Sequence, residues 1–456
     1  MSFEGEFASY EPLRRVLDSV KVQALQQRLK IRKRIEDTVE FDNILVKKDV
    51  LIESEIQPDL ILAIDGSHLE AKAENGFPGA EFGYVTLASV LIDLKKVKEL
   101  EHNEFISPKK FRETEKASTI ESVFPGCNVI LDTEKDAKTS LRRTLFEELK
   151  SISLFTDGES LLDTYEYLFK IKWEKFSDSS LPKSPIEGLD EEEMTYNYGE
   201  YVCPHSGESL FSTDALRLHE LMNPSGSSGE LFGQIMATLE KLLLIHILRA
   251  FEKKGWLATL CRVAFIMDGP LAVFSTSAWL TKVIEIELTR INDLQKQVNG
   301  QDLLIIGIEK SGTFFNHFIE IDTTKEGVGD KFPKQSALLL TDEYIKKNII
   351  FSESTKPYGQ ATYFGRKLFY KTASGQKLVT VVACYNENQR NLNTATHSQF
   401  ARLADIMALL DRFVSSRYPN SISPLVSAHA EAAIPFNLGK RLFEDIAREI
   451  RERSGI

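Results

Sequence analysis

This sequence lacks the marks of a membrane span, a disulfide-stapled fold, a general nucleic-acid coat and a nucleotide-hydrolysing motor. No apolar run approaches the ~20 residues needed to cross a bilayer; the longest, Leu242 to Leu248, is interrupted by His246 and reads as a buried helix segment. The opening MSFEGEFASYEPLRR has no apolar core of the kind a signal peptide carries. Four cysteines, Cys127, Cys203, Cys261 and Cys384, lie too far apart to suggest a disulfide framework. Together these absences predict a cytoplasmic protein with no membrane partner. Basic excess is also missing: 56 Lys and Arg face 67 Asp and Glu, for a net charge of -11. That balance counts against a phosphate-coating protein. It leaves room for an enzyme acting on phosphates, whose carboxylates are part of the acidic total and whose bound cation inverts the local field. No GxxxxGK[ST] loop is present, so the chain itself is expected to hydrolyse no ATP.

An apolar fraction of 42% with 27% charged residues is enough for a sizeable core in a chain of this length. Charge is uneven along it. Eight Lys or Arg residues and one acid, Asp18, lie between Arg14 and Arg34, whereas Leu189 to Met194 reads LDEEEM. Residues from Glu11 to about Asp42 show helical spacing in Leu13, Val16, Val20, Leu25, Leu29 and Ile35, and residues 1–55 are expected to form an N-terminal helical region. LILAIDGS (Leu60 to Ser67) and CRVAFIMDGP (Cys261 to Pro270) read as buried strands stopped by Asp-Gly. FGYVTLASVLIDL (Phe82 to Leu94) and LLIIGIEKSG (Leu303 to Gly312) are further strands, and a hairpin around Gly375 joins two more. Helices are expected at Leu231 to Lys254, capped by Gly255, at Thr276 to Gln297, at Ser398 to Ser416 and at Leu438 to Arg453. Residues 95–229 pattern poorly beyond two helical stretches and read as an insertion or subdomain. There is no internal repeat. Strands followed by alternating helix and strand predict an α/β fold with a mixed sheet and flanking helices, over about 56–440, with a C-terminal helix in 441–456.

Two strands carry the same ending, AIDGSHLE at Asp65 and FIMDGPLA at Asp268. In an open α/β sheet, ligands gather beyond the carboxyl ends of strands. Two such ends on neighbouring strands bring two acids together, and their repulsion makes most sense if they hold a hard divalent cation. Taken singly, each Asp-Gly is equally what ends an ordinary strand in a turn. A third acid comes from helical geometry. Glu240 has Met236, Ala237, Leu243 and Leu244 three and four positions away, a carboxylate on an apolar stripe where an unpaired charge is costly. It needs a cation or a proton; a salt bridge is the plainer alternative. Glu252, in the last turn, reads as exposed.

The set IDGSH, the helix bearing Glu240, FIMDGPL, the strand end GIEKSG and the late LVSAHAEAAI resembles the NurA family, over about Ile61 to Ile434. That resemblance implies an RNase H-like sheet and a metal-dependent DNA nuclease working with a HerA-like hexameric ATPase in DNA end processing or phage defence. By the same resemblance Asp65, Glu240 and Asp268 are the catalytic acids. Lys310 is the lysine after the next core strand and His429 the histidine of the Ala-His motif. The acids, with His429, would hold Mn²⁺ or Mg²⁺, and Lys310 would contact DNA phosphate. His429 could alternatively shuttle a proton. Considered alone, His429 reads as a structural histidine and Lys310 as a solvated surface residue. Glu309 competes with Lys310, since adjacent strand residues face opposite ways. A homodimer is expected, from the resemblance and the apolar, basic N-terminal region.

Three further features are weaker. TYFGRKLFYK (Thr362 to Lys371) interleaves aromatics with Arg366 and Lys367, as a DNA-stacking face would, though strand alternation gives the same pattern. Cys203, His205 and His219 hint at zinc, but Ser206 stands where a paired cysteine belongs. His68 follows Asp65 near the expected rim. Among rival readings, an actin-like phosphotransferase wants Asp-x-Gly-[Ser/Thr], and Asp65-Gly66-Ser67 lacks the intervening residue. A haloacid-dehalogenase-type phosphatase wants a second Asp where Ser67 stands. A non-catalytic adaptor docking an ATPase would tolerate loss of the five polar positions, and all five are present.

Overall fold

The computed structural model describes residues 11–29, 43–72, 79–101, 114–176, 183–189, 197–223, 228–323, 331–414 and 421–433. It separates into two compact units, Met1–Glu40 and Phe41–Ile456. The first contains two short helices, Glu11–Leu17 and Val20–Arg28, instead of one continuous helix; Ser19 between them is extended. Val16, Leu17, Val20 and Leu25 are exposed. The helix expected at Leu438 to Arg453 lies outside the described residues.

The second unit is built on a nine-stranded sheet. Its strands are β1 (Leu45–Lys47), β2 (Leu60–Lys72), β3 (Glu81–Asp93), β4 (Glu115–Pro125), β7 (Val263–Asp268), β8 (Leu304–Glu309), β9 (Ser336–Leu339), β10 (Gly365–Lys371) and β11 (Lys377–Ala383); β5 (Glu200–Val202) and β6 (Ser209–Phe211) form a separate ribbon. The order is β1-β9-β10-β11-β8-β7-β2-β3-β4. β2, β3 and β4 run antiparallel, β7 lies parallel to β2 and β8 parallel to β7, and β11 returns antiparallel to β8. Residues 95–229 are therefore not wholly an insertion: β4 belongs to the main sheet. Its solvent-facing stretch Lys116–Thr119 carries no apolar alternation, as befits an edge strand exposed on both sides.

Alternation along the strands divides the core. Ile64, Phe265, Met267 and Ile305 pack with the helices Ala137–Ser151, Leu161–Lys175, Gly229–Lys253 and Leu280–Asn299. Ile61, Ala63, Ala264, Ile266, Ile306 and Ile308 pack on the other face, under the helices Leu403–Phe413 and Ser423–Ala432. Among the described residues one helix, Gly229–Lys253, is long and apolar enough to cross a membrane. Most of its apolar stretch is buried in the first of these layers, and Gly255 ends it with a φ of 74°, as a left-handed cap requires.

Candidate active site

The two Asp-Gly sequences behave differently. Gly269 has a φ of 75° and turns the chain out of β7. Gly66 turns nothing: β2 continues to Lys72, paired throughout with β3, so the expected strand end after Asp65 is corrected to a mid-strand position. Absence of a side chain is what Gly66 supplies. A Cβ there would stand 2.6 Å from Glu240 Oε1 and 2.7 Å from Met236 Cγ. The helix Gly229–Lys253 thereby comes close enough for its carboxylate to take a hydrogen bond from the Gly66 backbone.

Register then brings the acids together. Ile64 pairs with Met267 across the parallel β2–β7 ladder, which sets Asp65 beside Asp268. Both have the parity of Ile61, Ala63, Ala264 and Ile266 and point toward the face of Ser423–Ala432. Their carboxyls are within hydrogen-bonding range of each other. Asp65 is 2% exposed. Burial, then the negative charge of Asp268, push its carboxyl up to about 8, with Glu240 adding to the rise and Lys310 opposing it. Glu240 arrives from the opposite layer, also buried, and burial holds its carboxyl above the ordinary range although Lys241 draws it down.

Each acid has a nitrogen partner. His429 Nδ1 is 3.0 Å from Asp65 Oδ2, Lys310 Nζ 2.9 Å from Asp268 Oδ2, and Lys241 Nζ 3.0 Å from Glu240 Oε2. The structure thus gathers all five expected polar residues, Asp65, Glu240, Asp268, Lys310 and His429, and adds a sixth. Lys241 escaped sequence reasoning; its signal was a lysine inside a helix apolar on most of its circumference. Glu309 and Lys310 part as adjacent residues should. Glu309 turns to the other face and binds Lys367, while Lys310 turns to Asp268.

Arg366 and Lys367 do not form an exposed DNA-stacking face, and that expectation is corrected. Arg366 is 2% exposed, donates to the carbonyls of Gln389 and Thr394, and lies over the Phe400 ring. Lys367 is buried against Phe314 and Tyr363. Alternation on β10 gave them their spacing; internal partners consume their charges. Of the zinc suggestion, Cys203 and His219 are buried while His205 is exposed.

Among the described residues, no three His, Cys, Asp or Glu side chains are arranged to hold a metal ion as they stand. The donor chemistry nevertheless fits a hard divalent cation: carboxylate oxygens from two layers, one of them raised to about 8 by burial and then by its acidic neighbour, meet where added positive charge would relieve them. The description "NurA domain" matches residues 59–434. The chain belongs to the NurA-domain family. The match runs from the start of β2 to just beyond the helix that carries His429, so it takes in every residue of the cluster. Similar solved structures include the NurA nuclease from Sulfolobus solfataricus, at 10% identity over 98% of this chain and 97% of that one, with a TM-score of 0.32. Another, described as the crystal structure of NurA, is 12% identical over 93% of this chain and 94% of that one, with a TM-score of 0.23. No curated protein matches. Membership of the NurA family rests on the domain match.

Proposed function

We propose that this NurA-domain chain is a divalent-metal-dependent deoxyribonuclease with an RNase H-like sheet. The observation that supports it most is the meeting of Asp65 and Asp268 on adjacent parallel strands with Glu240 from the helix layer behind them. Asp65, Asp268 and Glu240 would hold Mn²⁺ or Mg²⁺, with His429 as a further ligand or proton carrier. Such an ion supplies Lewis acidity at a phosphodiester and activates water for attack. Lys310 is about one-third exposed and can exchange Asp268 for a phosphate oxygen without losing much, since partly solvated pairs are weak. His429 is anchored to Asp65 through Nδ1, which leaves Nε2 to hold or pass a proton at the leaving oxygen.

The partner readings are a homodimer and a HerA-like hexameric ATPase, in DNA end processing or phage defence. Co-purification with an ATPase encoded beside the chain, and sedimentation of the chain alone, test them. A second reading, a non-catalytic adaptor, is favoured by one observation: every acid already has a nitrogen partner, lysine for Glu240 and Asp268 and a histidine for Asp65. Labelled DNA with Mn²⁺ or Mg²⁺ separates the two. Cleavage that disappears with EDTA and in Asp65→Ala supports the nuclease; an intact substrate under all conditions supports the adaptor.

A further inference from the structure

We infer that Lys241 is a positioning residue whose buried ammonium occupies the place of a second cation, so that the centre takes one divalent ion per chain. This rests on the metal-dependent reading above and specifies it. Lys241 is 4% exposed in a helix whose neighbours Leu242, Leu243, Leu244 and Ile245 are fully buried or nearly so. A lysine reaches such a place only with a partner. The partner is Glu240, with Nζ on Oε2 at 3.0 Å.

The pairing is not one that helix geometry provides. Residues i and i+1 point about 100° apart on a helix and do not ordinarily meet. Both side chains must bend to the same side, and the space for the acid exists because Gly66 has no Cβ. The arrangement is therefore tied to the acid cluster rather than to the helix. It also differs from the pair beside it. Lys310 and Asp268 are 31% and 26% exposed, so Lys310 can leave for water or phosphate. Lys241 and Glu240 are 4% and 7% exposed, so separating them would strand both charges in a dry layer. Oε2 is thus committed to the ammonium, and a second divalent ion beside it would face a fixed positive charge without solvent between them.

The test is Mn²⁺ binding to the full chain without DNA, followed by calorimetry and by the electron paramagnetic resonance of free Mn²⁺. The expected result is one ion for the wild type, one for Lys241→Arg, and either a second ion or at least tenfold tighter binding for Lys241→Gln. Two ions on the wild type would overturn the inference, and so would Lys241→Gln matching the wild type in number and affinity. In both cases the metal-dependent reading would stand. Absence of any Mn²⁺ binding by the wild type would overturn that reading and this inference with it. Because the wild-type stoichiometry is itself decisive, poor folding of a variant cannot shield the claim.

Discussion

Replacing Asp65 by Asn should stabilise the metal-free protein while destroying the proposed activity. Asp65 has a carboxyl raised from 3.8 to about 8, chiefly by burial and secondarily by Asp268. The sign follows from linkage: a folded state that binds the proton more tightly than the unfolded state loses stability as pH rises between the two values. Stability from this group is complete below about pH 4, declines through neutrality, and is gone above about pH 8. At 1.36 kcal/mol per pKa unit, the loss is on the order of 4 kcal/mol by pH 7. Asn is neutral at every pH and nearly isosteric, and its amide can donate to Asp268 as the protonated acid does. In EDTA, the Asp65→Asn chain should therefore resist urea better than wild type at pH 6.5 by about 2–4 kcal/mol, with the gap widening toward pH 8 and closing toward pH 4.5. Mn²⁺ at 1,000 times its Kd should reverse the order, because it adds about 4.1 kcal/mol to whichever chain binds it. A variant less stable than wild type at pH 8, or a gap independent of pH, would refute the electrostatic account of the site.

Other substitutions probe the supports. Gly66→Ala puts a methyl into the Glu240 carboxylate and Met236; it should cost about 1–3 kcal/mol in urea melts and lower cleavage by roughly a hundredfold through a displaced acid. Arg366→Ala should lower stability by about 3 kcal/mol and leave low-salt DNA binding by the folded fraction unchanged, because its guanidinium is spent on Gln389, Thr394 and Phe400. Glu287→Gln should cost about 3–5 kcal/mol by calorimetry, since this fully buried carboxylate receives Arg249, Arg290 and the Tyr167 hydroxyl.

How far the site could be read from residues depended on whether the local pattern carried the long-range information. Asp65 and Asp268 were legible because each follows an apolar run, and the parallel register of β2 and β7 sets them side by side even though only β7 ends there. Glu240 was legible because a carboxylate amid Leu and Ile must find a charge. The charge it finds in the fold is that of Lys241, so the salt-bridge alternative is present there. The meaning of Gly66 was not legible: Asp-Gly announces a turn, and only the approach of a helix distant in sequence turns the same glycine into a clearance. β4 hid because an edge strand needs no apolar alternation, and β9, SALL, because four residues have too little pattern to show. Arg366 and Lys367 misled for the opposite reason. Their alternation was real, but burial on both faces of β10 is a property of the sheet's centre, which no local window reports.

Continuation of β2 also decides how the cluster can be reached. Past Asp65 the strand runs seven further residues to Lys72, still paired with β3, whereas β7 stops at Asp268 and β8 at Glu309. The projecting β2–β3 ribbon is backed by the helix Gly229–Lys253 along a row of close approaches. Gly233 stands against His68, and Gly229 has room only because Glu70 meets no Cβ there. Two sides of the acid cluster are thus walls. Exposure follows the same geometry: Asp65 and Glu240, against the walls, have side chains 3% and 7% exposed, while Asp268, Lys310 and His429 stand at 26%, 31% and 58%. Among the described residues, the most exposed members of the cluster are therefore those at the ends of β7 and β8 and on the helix carrying His429.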